Sequence, residues 1–129
     1  MKSRLEAKAA VPTNEGYPEN VKLVCKSLAD KFGTDIKIIT IKGMSDIADY
    51  FVICSGRSNA QVKAIFEHLE EQMEKAGVEA LRKEGMQEAR WIAVDYGDII
   101  VHIFHKDTRD MYALDTLWNN GANVQDYVE

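Results

Sequence analysis

The stretch Asp49–Ser55, DYFVICS, is apolar almost throughout, with β-branched Val52 and Ile53 beside aromatic Tyr50 and Phe51. It is short for a helix and lacks the alternation of a half-wet strand, so it reads as a strand buried on both faces. Such a strand needs cover above and below, which points to a layered α/β domain. The residues that follow agree. Ser58-Asn59-Ala60-Gln61 has capping-box spacing, in which the serine accepts from the third helical amide and the glutamine reaches back. Val62, Ile65, Phe66, Leu69 and Met73 then recur at helical spacing, and Gly77 stops the helix.

The rest of the chain supplies the neighbours. Tyr17–Pro18 opens an earlier helix, with Pro18 suited to a first-turn position, Val21, Val24 and Leu28 on one face and Gly33 as the stop. Ile36–Ile41 reads as a strand and Val78–Glu84 as a shorter, weaker one. Arg90–Tyr96 and Ile99–His105 are β-rich runs separated by Gly97-Asp98, the length of a two-residue hairpin loop. Asp107 is placed to cap a last helix carrying Met111, Leu114, Leu117 and Trp118, ended by Gly121. The order α-β-β-α-β-β-β-α predicts a single α/β domain with a mixed five-stranded sheet and packed helices. The expected boundaries are an N-terminal arm over 1–16, the domain over 17–120 and a C-terminal tail over 121–129.

At 129 residues the chain can bury a core without disulfide or metal. Cys25 and Cys54 have no Cys-x-x-Cys spacing and read as reduced thiols. No apolar run approaches the roughly 20 residues of a membrane span, and Met1–Thr13 lacks the apolar core of a signal, so a cytoplasmic location is expected. The net charge of −5, from 16 basic and 21 acidic residues, disfavours a phosphate-gripping surface and favours a protein partner.

The hairpin gives the most informative surface. A Gly97-Asp98 loop pairs Tyr96 with Ile99, Val94 with Val101 and Ile92 with Ile103 on one apolar face. The opposite face carries Trp91, Ala93 and Asp95 beside Ile100, His102 and Phe104. A tryptophan beside an aspartate and a histidine on an open sheet face has the composition of a protein-docking hot spot. The same residues also suit a face covered by the last helix, with Asp95 and His102 as hydrogen-bonded neighbours. Both arrangements are compatible with the residues.

Catalytic constellations are weak. Ser55-Gly56-Arg57-Ser58 joins a strand to a helix N-terminus, but a single glycine makes no dinucleotide fingerprint, and a turn with a cap accounts for it. A metal-dependent nucleotidyltransferase needs paired in-strand acids, whereas Asp95 stands alone and Asp98 falls in the turn. His102 and His105 differ by an odd number along one strand, point to opposite faces and cannot share a metal. His68 lies on the polar side of the long helix. No catalytic residue, metal ligand or cofactor is expected.

Three segments carry a family resemblance: Gly43-Met44-Ser45-Asp46-Ile47-Ala48-Asp49-Tyr50-Phe51-Val52-Ile53, Ser55-Gly56-Arg57-Ser58-Asn59, and Trp91-Ile92-Ala93-Val94-Asp95-Tyr96-Gly97-Asp98-Ile99-Ile100-Val101-His102. Together with Arg109–Trp118 they resemble the Iojap/RsfS (ribosomal silencing factor) family from about Val21 to Trp118. The resemblance implies a nucleotidyltransferase-like fold without the catalytic acids. It also implies binding to the large ribosomal subunit through ribosomal protein uL14, number fourteen of that subunit, and obstruction of subunit joining under nutrient limitation. The family's tryptophan-bearing strand belongs to the docking surface, which carries over to Trp91 and, beside it, Asp95 and Tyr96; His102, on the mixed face of the neighbouring strand, is the fourth partner-binding candidate. The competing readings are a divergent magnesium-dependent nucleotidyltransferase using Ser55, Asp95 and Asp98, and a self-associating scaffold in which the mixed face forms a homodimer.

Overall fold

The computed structural model describes residues 16–128; the arm expected over 1–16 lies outside them except for Gly16. The elements are α1 (Glu19–Asp30), β1 (Thr34–Thr40), β2 (Tyr50–Gly56), α2 (Asn59–Lys75), β3 (Arg82–Glu84), β4 (Trp91–Asp95), β5 (Ile99–His105), α3 (Lys106–Tyr112), α4 (Leu114–Leu117) and β6 (Val124–Asp126). The continuously apolar run is β2, and it lies inside a sheet of order β3-β4-β5-β2-β1-β6. It pairs in parallel with β5 and antiparallel with β1, and every residue from Phe51 to Gly56 is buried. Its alternate side chains feed two separate clusters. Val52 and Cys54 meet α1 and α2, through Val24, Leu28, Ile65 and Leu69, while Phe51 and Ile53 join Ile39, Ile41 and Phe104 on the other face.

The helices form where the caps and apolar spacing direct them. Ser58 Oγ accepts from the Gln61 amide at 3.1 Å, whereas Gln61 Oε1 accepts from the Arg57 amide at 2.6 Å, one residue before the position a standard capping box uses. The same glutamine donates to the Phe32 carbonyl at 3.1 Å and so joins the end of α1 to the start of α2. His68 Nε2 and Asp30 Oδ2, 3.1 Å apart, make a second link between these helices. Pro18 is the N-cap of α1 and not its first helical residue. Val62, Ile65, Phe66, Leu69 and Met73 are buried as the spacing requires, and truncating any one of the aliphatic residues among them would cost about 2–5 kcal/mol.

The sheet has six strands where the sequence predicted five. The sixth comes from the stretch read as a tail: β6 pairs antiparallel with β1, Ile38 opposite Gln125. Three residues are too few to show alternation, and what orders them is distant in sequence. The Thr40 amide donates to the Asn123 carbonyl at 2.9 Å, the Tyr127 amide to the Ile36 carbonyl at 2.8 Å, and Lys37 Nζ lies 2.5 Å from Asp126. The last helix also differs, because Ala113 at φ +48° breaks it into α3 and α4. The N-cap of α3 is His105, whose Nδ1 accepts from the Asp107 amide at 3.1 Å, because β5 runs into the helix without a loop. Asp107, expected as the cap, is inside the first turn. No helix among the described residues is long and apolar enough to cross a membrane.

Candidate functional site

The two-residue loop fixes the register of β4 on β5 as its length requires: Ile92 stands opposite Ile103 and Val94 opposite Val101, with Tyr96 N donating to Ile99 O at 2.8 Å. Ile92, Val94, Val101 and Ile103 are buried against the two long helices. The other face therefore carries Trp91, Ala93, Asp95, Ile100, His102 and Phe104, and it is graded from covered to open. Phe104 is fully buried and His102 is 7% exposed, while Trp91, Ala93, Asp95 and Ile100 are half-buried. Leu114 and Trp118 shelter the β2 side of this face, Trp118 standing edge-on to Phe51 at 5.6 Å. Among the described residues, no helix lies over the β4 side apart from Tyr112.

Trp91 is held in three ways. Its indole stacks on Phe104 at 4.9 Å and meets Tyr112 at 4.4 Å. Its Nε1–H donates to His102 Nδ1 at 3.0 Å. Its backbone is approached so closely by Gly85 that only glycine fits there. Burial of His102 lowers its pKa to about 4, so the ring is neutral at physiological pH and available as an acceptor. Asp95 has one carboxylate oxygen engaged by the Gly97 amide at 2.8 Å. A cavity of about 250 Å³ opens over Ala93 and Ile100, between Trp91 and Asp95. That is below the range of small-molecule sites, and it suits a partner's side chain better than a cofactor.

The structure thus brings Trp91, Asp95 and His102 together and separates Tyr96 from them. Tyr96 packs on the helix side, and its hydroxyl is buried without a hydrogen-bond partner. Burial, with Glu70 and Glu74 adding to it, pushes its pKa up to about 12. The sequence had already placed Tyr96 on the apolar face with Ile99, and grouping it with Trp91 rested on the family motif alone.

The family model described as "Ribosomal silencing factor during starvation" matches residues 14–129. The chain belongs to this family. It is 42% identical to "Ribosomal silencing factor RsfS" of Bacillus subtilis over 78% of this chain and 85% of that protein. A crystal structure of a protein from Chromobacterium violaceum superposes with a TM-score of 0.76 at 32% identity, covering 78% of this chain and 83% of that one. A more distant mouse relative, 26% identical over 80% of this chain and 46% of its own length, is named "Mitochondrial assembly of ribosomal large subunit protein 1".

In this member of the ribosomal silencing factor family, Ser55 is far from the acid a nucleotidyltransferase would pair it with. Ser55 is opposite Phe104 and Asp95 opposite Ile100, four residues along β5, which is about 13 Å of strand. Ser55 Oγ instead accepts from Arg109 Nη1 at 2.9 Å. Among the described residues no group of three or more His, Cys, Asp or Glu could hold a metal. Arg109 is the buried charge that sequence reasoning missed. Only 5% exposed, it also donates to the Asp35 carbonyl at 2.7 Å and lies 3.5 Å from Asp115 Oδ2, fixing α3 to the ends of β1 and β2. Its partners lie 74, 54 and 6 residues away, so no local pattern marks it.

Proposed function

We propose that this chain silences ribosomes by steric occupation. It docks on ribosomal protein uL14 of the large subunit through Trp91 and Asp95, and its bulk then obstructs joining of the small subunit, repressing translation when nutrients are scarce. Membership in the ribosomal silencing factor family supports this reading, and so does the mouse relative whose name refers to assembly of the large subunit. The observation that carries it is the half-exposed Trp91, held by ring contacts and a hydrogen bond on the part of the sheet that no long helix covers among the described residues. A pinned aromatic beside a carboxylate and a side-chain-sized cavity is the arrangement from which interface hot spots are built. Tyr96, on the helix side, stands outside this surface, and His102 lies behind it.

No bond is made or broken in this scheme, and the setting is the cytoplasm. To compete with subunit joining, the domain needs nanomolar-class affinity, about −12 kcal/mol. The test is a sedimentation profile of ribosomal subunits with and without purified protein. Joined ribosomes are expected to give way to free subunits, with the protein in the large-subunit fraction. Trp91→Ala is expected to weaken co-sedimentation by about thirtyfold or more while remaining folded by circular dichroism. Undiminished co-sedimentation of that variant would remove Trp91 from the interface.

A further inference from the structure

We infer that His102 is a positioning residue: it takes up the single hydrogen-bond donor of Trp91, so that the indole is fixed in one orientation and meets the partner as an apolar surface needing no acceptor. This rests on the docking role proposed for Trp91. An indole has one polar hydrogen, on Nε1, and that hydrogen is already committed to His102 Nδ1 at 3.0 Å. A neutral imidazole that accepts at Nδ1 carries its own hydrogen on Nε2, so the tautomer is fixed by the tryptophan. Nε2 is buried with no hydrogen-bond partner. The ring is walled in by aromatic neighbours: Phe51 stands edge-to-face at 4.9 Å and Phe104 lies nearly parallel at 6.2 Å.

These neighbours explain why the histidine can act as a stop for the indole. It is buried at the middle of β5, opposite Ala93 across the strand pair, with Phe51 edge-on beside it. Phe104 and Tyr112 hold the indole by ring contacts, which tolerate sliding, whereas the hydrogen bond defines a direction. Fixing Trp91 before docking removes the rotamer entropy that an unrestrained side chain would lose on binding. A partner contact built this way depends on shape and apolar area at Trp91, with polar register left to Asp95.

The experiment uses full-length protein with ¹⁵N-labelled tryptophan, comparing His102→Phe, which keeps a planar ring without an acceptor, with His102→Gln, which restores a carbonyl acceptor. Solvent exchange of the Trp91 indole hydrogen is expected to speed up at least about tenfold in His102→Phe and to return toward wild type in His102→Gln. Large-subunit affinity is expected to fall about tenfold in His102→Phe, to recover substantially in His102→Gln, and to be insensitive to His102→Phe in a Trp91→Phe background. Unchanged indole exchange in a folded His102→Phe variant overturns the positioning role. Faster indole exchange combined with undiminished binding by Trp91→Ala overturns the docking reading instead, leaving His102 as the lock of a structural tryptophan.

Discussion

A Cβ built on Gly85 would lie 2.0 Å from the carbonyl oxygen of Trp91, and Gly85 itself sits at φ +89°. Backbone, and not a movable side chain, is what the added carbon would strike, so the loop over residues 85–89 must shift away from β4. Gly97, at φ +94°, offers a control, because its nearest obstacle is Leu81 Cδ1 at 3.6 Å. Gly85→Ala is expected to cost about 2–4 kcal/mol, combining left-handed strain with steric overlap. Gly97→Ala carries the strain alone, about 1 kcal/mol. Urea unfolding of the two variants checks the difference, and equal midpoints would mean that the loop yields freely. Because the overlap falls on the backbone of Trp91 itself, Gly85→Ala should also weaken large-subunit binding.

Arg109 gives a second prediction. Removing the guanidinium in Arg109→Met leaves the Asp35 carbonyl and Ser55 Oγ without their donor and Asp115 without its ion pair. Breaking a buried charged network from its central member is expected to destabilise by about 3–5 kcal/mol. Asp115→Asn, which keeps the shape and an oxygen acceptor, should cost about 1 kcal/mol or less. Thermal unfolding monitored by circular dichroism measures both. An Arg109→Met variant as stable as wild type would show that α3 does not depend on this anchor.

How far these relationships were legible in the sequence follows from their range. The register of β4 on β5 could be read because a two-residue loop leaves one pairing that keeps Ile92, Val94, Val101 and Ile103 together. The N-terminus of α2 could be read because Ser58 and Gln61 act within one turn. β6 could not, since three residues have no period and its order comes from β1, more than 80 residues earlier. The break at Ala113 was hidden because alanine, unlike glycine, gives no signal of a left-handed conformation. The candidate site was half legible: alternation put Trp91, Asp95 and His102 on one face, but whether that face was open depended on where Tyr112, Leu114 and Trp118 settled. Its gradation, His102 behind and Trp91 in front, exists only in three dimensions.

Tyr96 separates stability from docking. Its hydroxyl is buried with no partner, so replacing it by hydrogen removes a desolvated polar group and leaves the ring packing beside α2 intact. Tyr96→Phe is therefore expected to be neutral or to stabilise by up to about 1 kcal/mol. Because Tyr96 lies on the helix side, large-subunit binding should stay within about twofold of wild type, in contrast with Trp91→Ala. A marked loss of binding in a stable Tyr96→Phe protein would place the hydroxyl at the interface and contradict its assignment to the helix side.

His102 makes stability depend on pH in a defined window. Its pKa in the folded chain is about 4, lowered from 6.5 by burial. As pH falls through 6.5 the unfolded chain gains a proton at this position, and the folded chain does not until about 4. The unfolded state therefore binds more protons between these values, and folding stability falls as pH falls. The contribution is fully present above the unfolded value, declines by about 1.4 kcal/mol per pH unit inside the window and amounts to about 3 kcal/mol in all. Asp30, hydrogen-bonded to His68 and lowered below its usual 3.8, loses its own contribution at lower pH, so the two effects separate. Urea midpoints measured at a series of pH values from about 7.5 to 4.5 should show the slope in wild type. In His102→Gln, which has no group titrating there, the slope is expected to flatten by nearly the same amount. An identical slope in the two proteins would mean that the imidazole is protonated freely in the folded state, and that its hydrogen bond from Trp91 is not maintained.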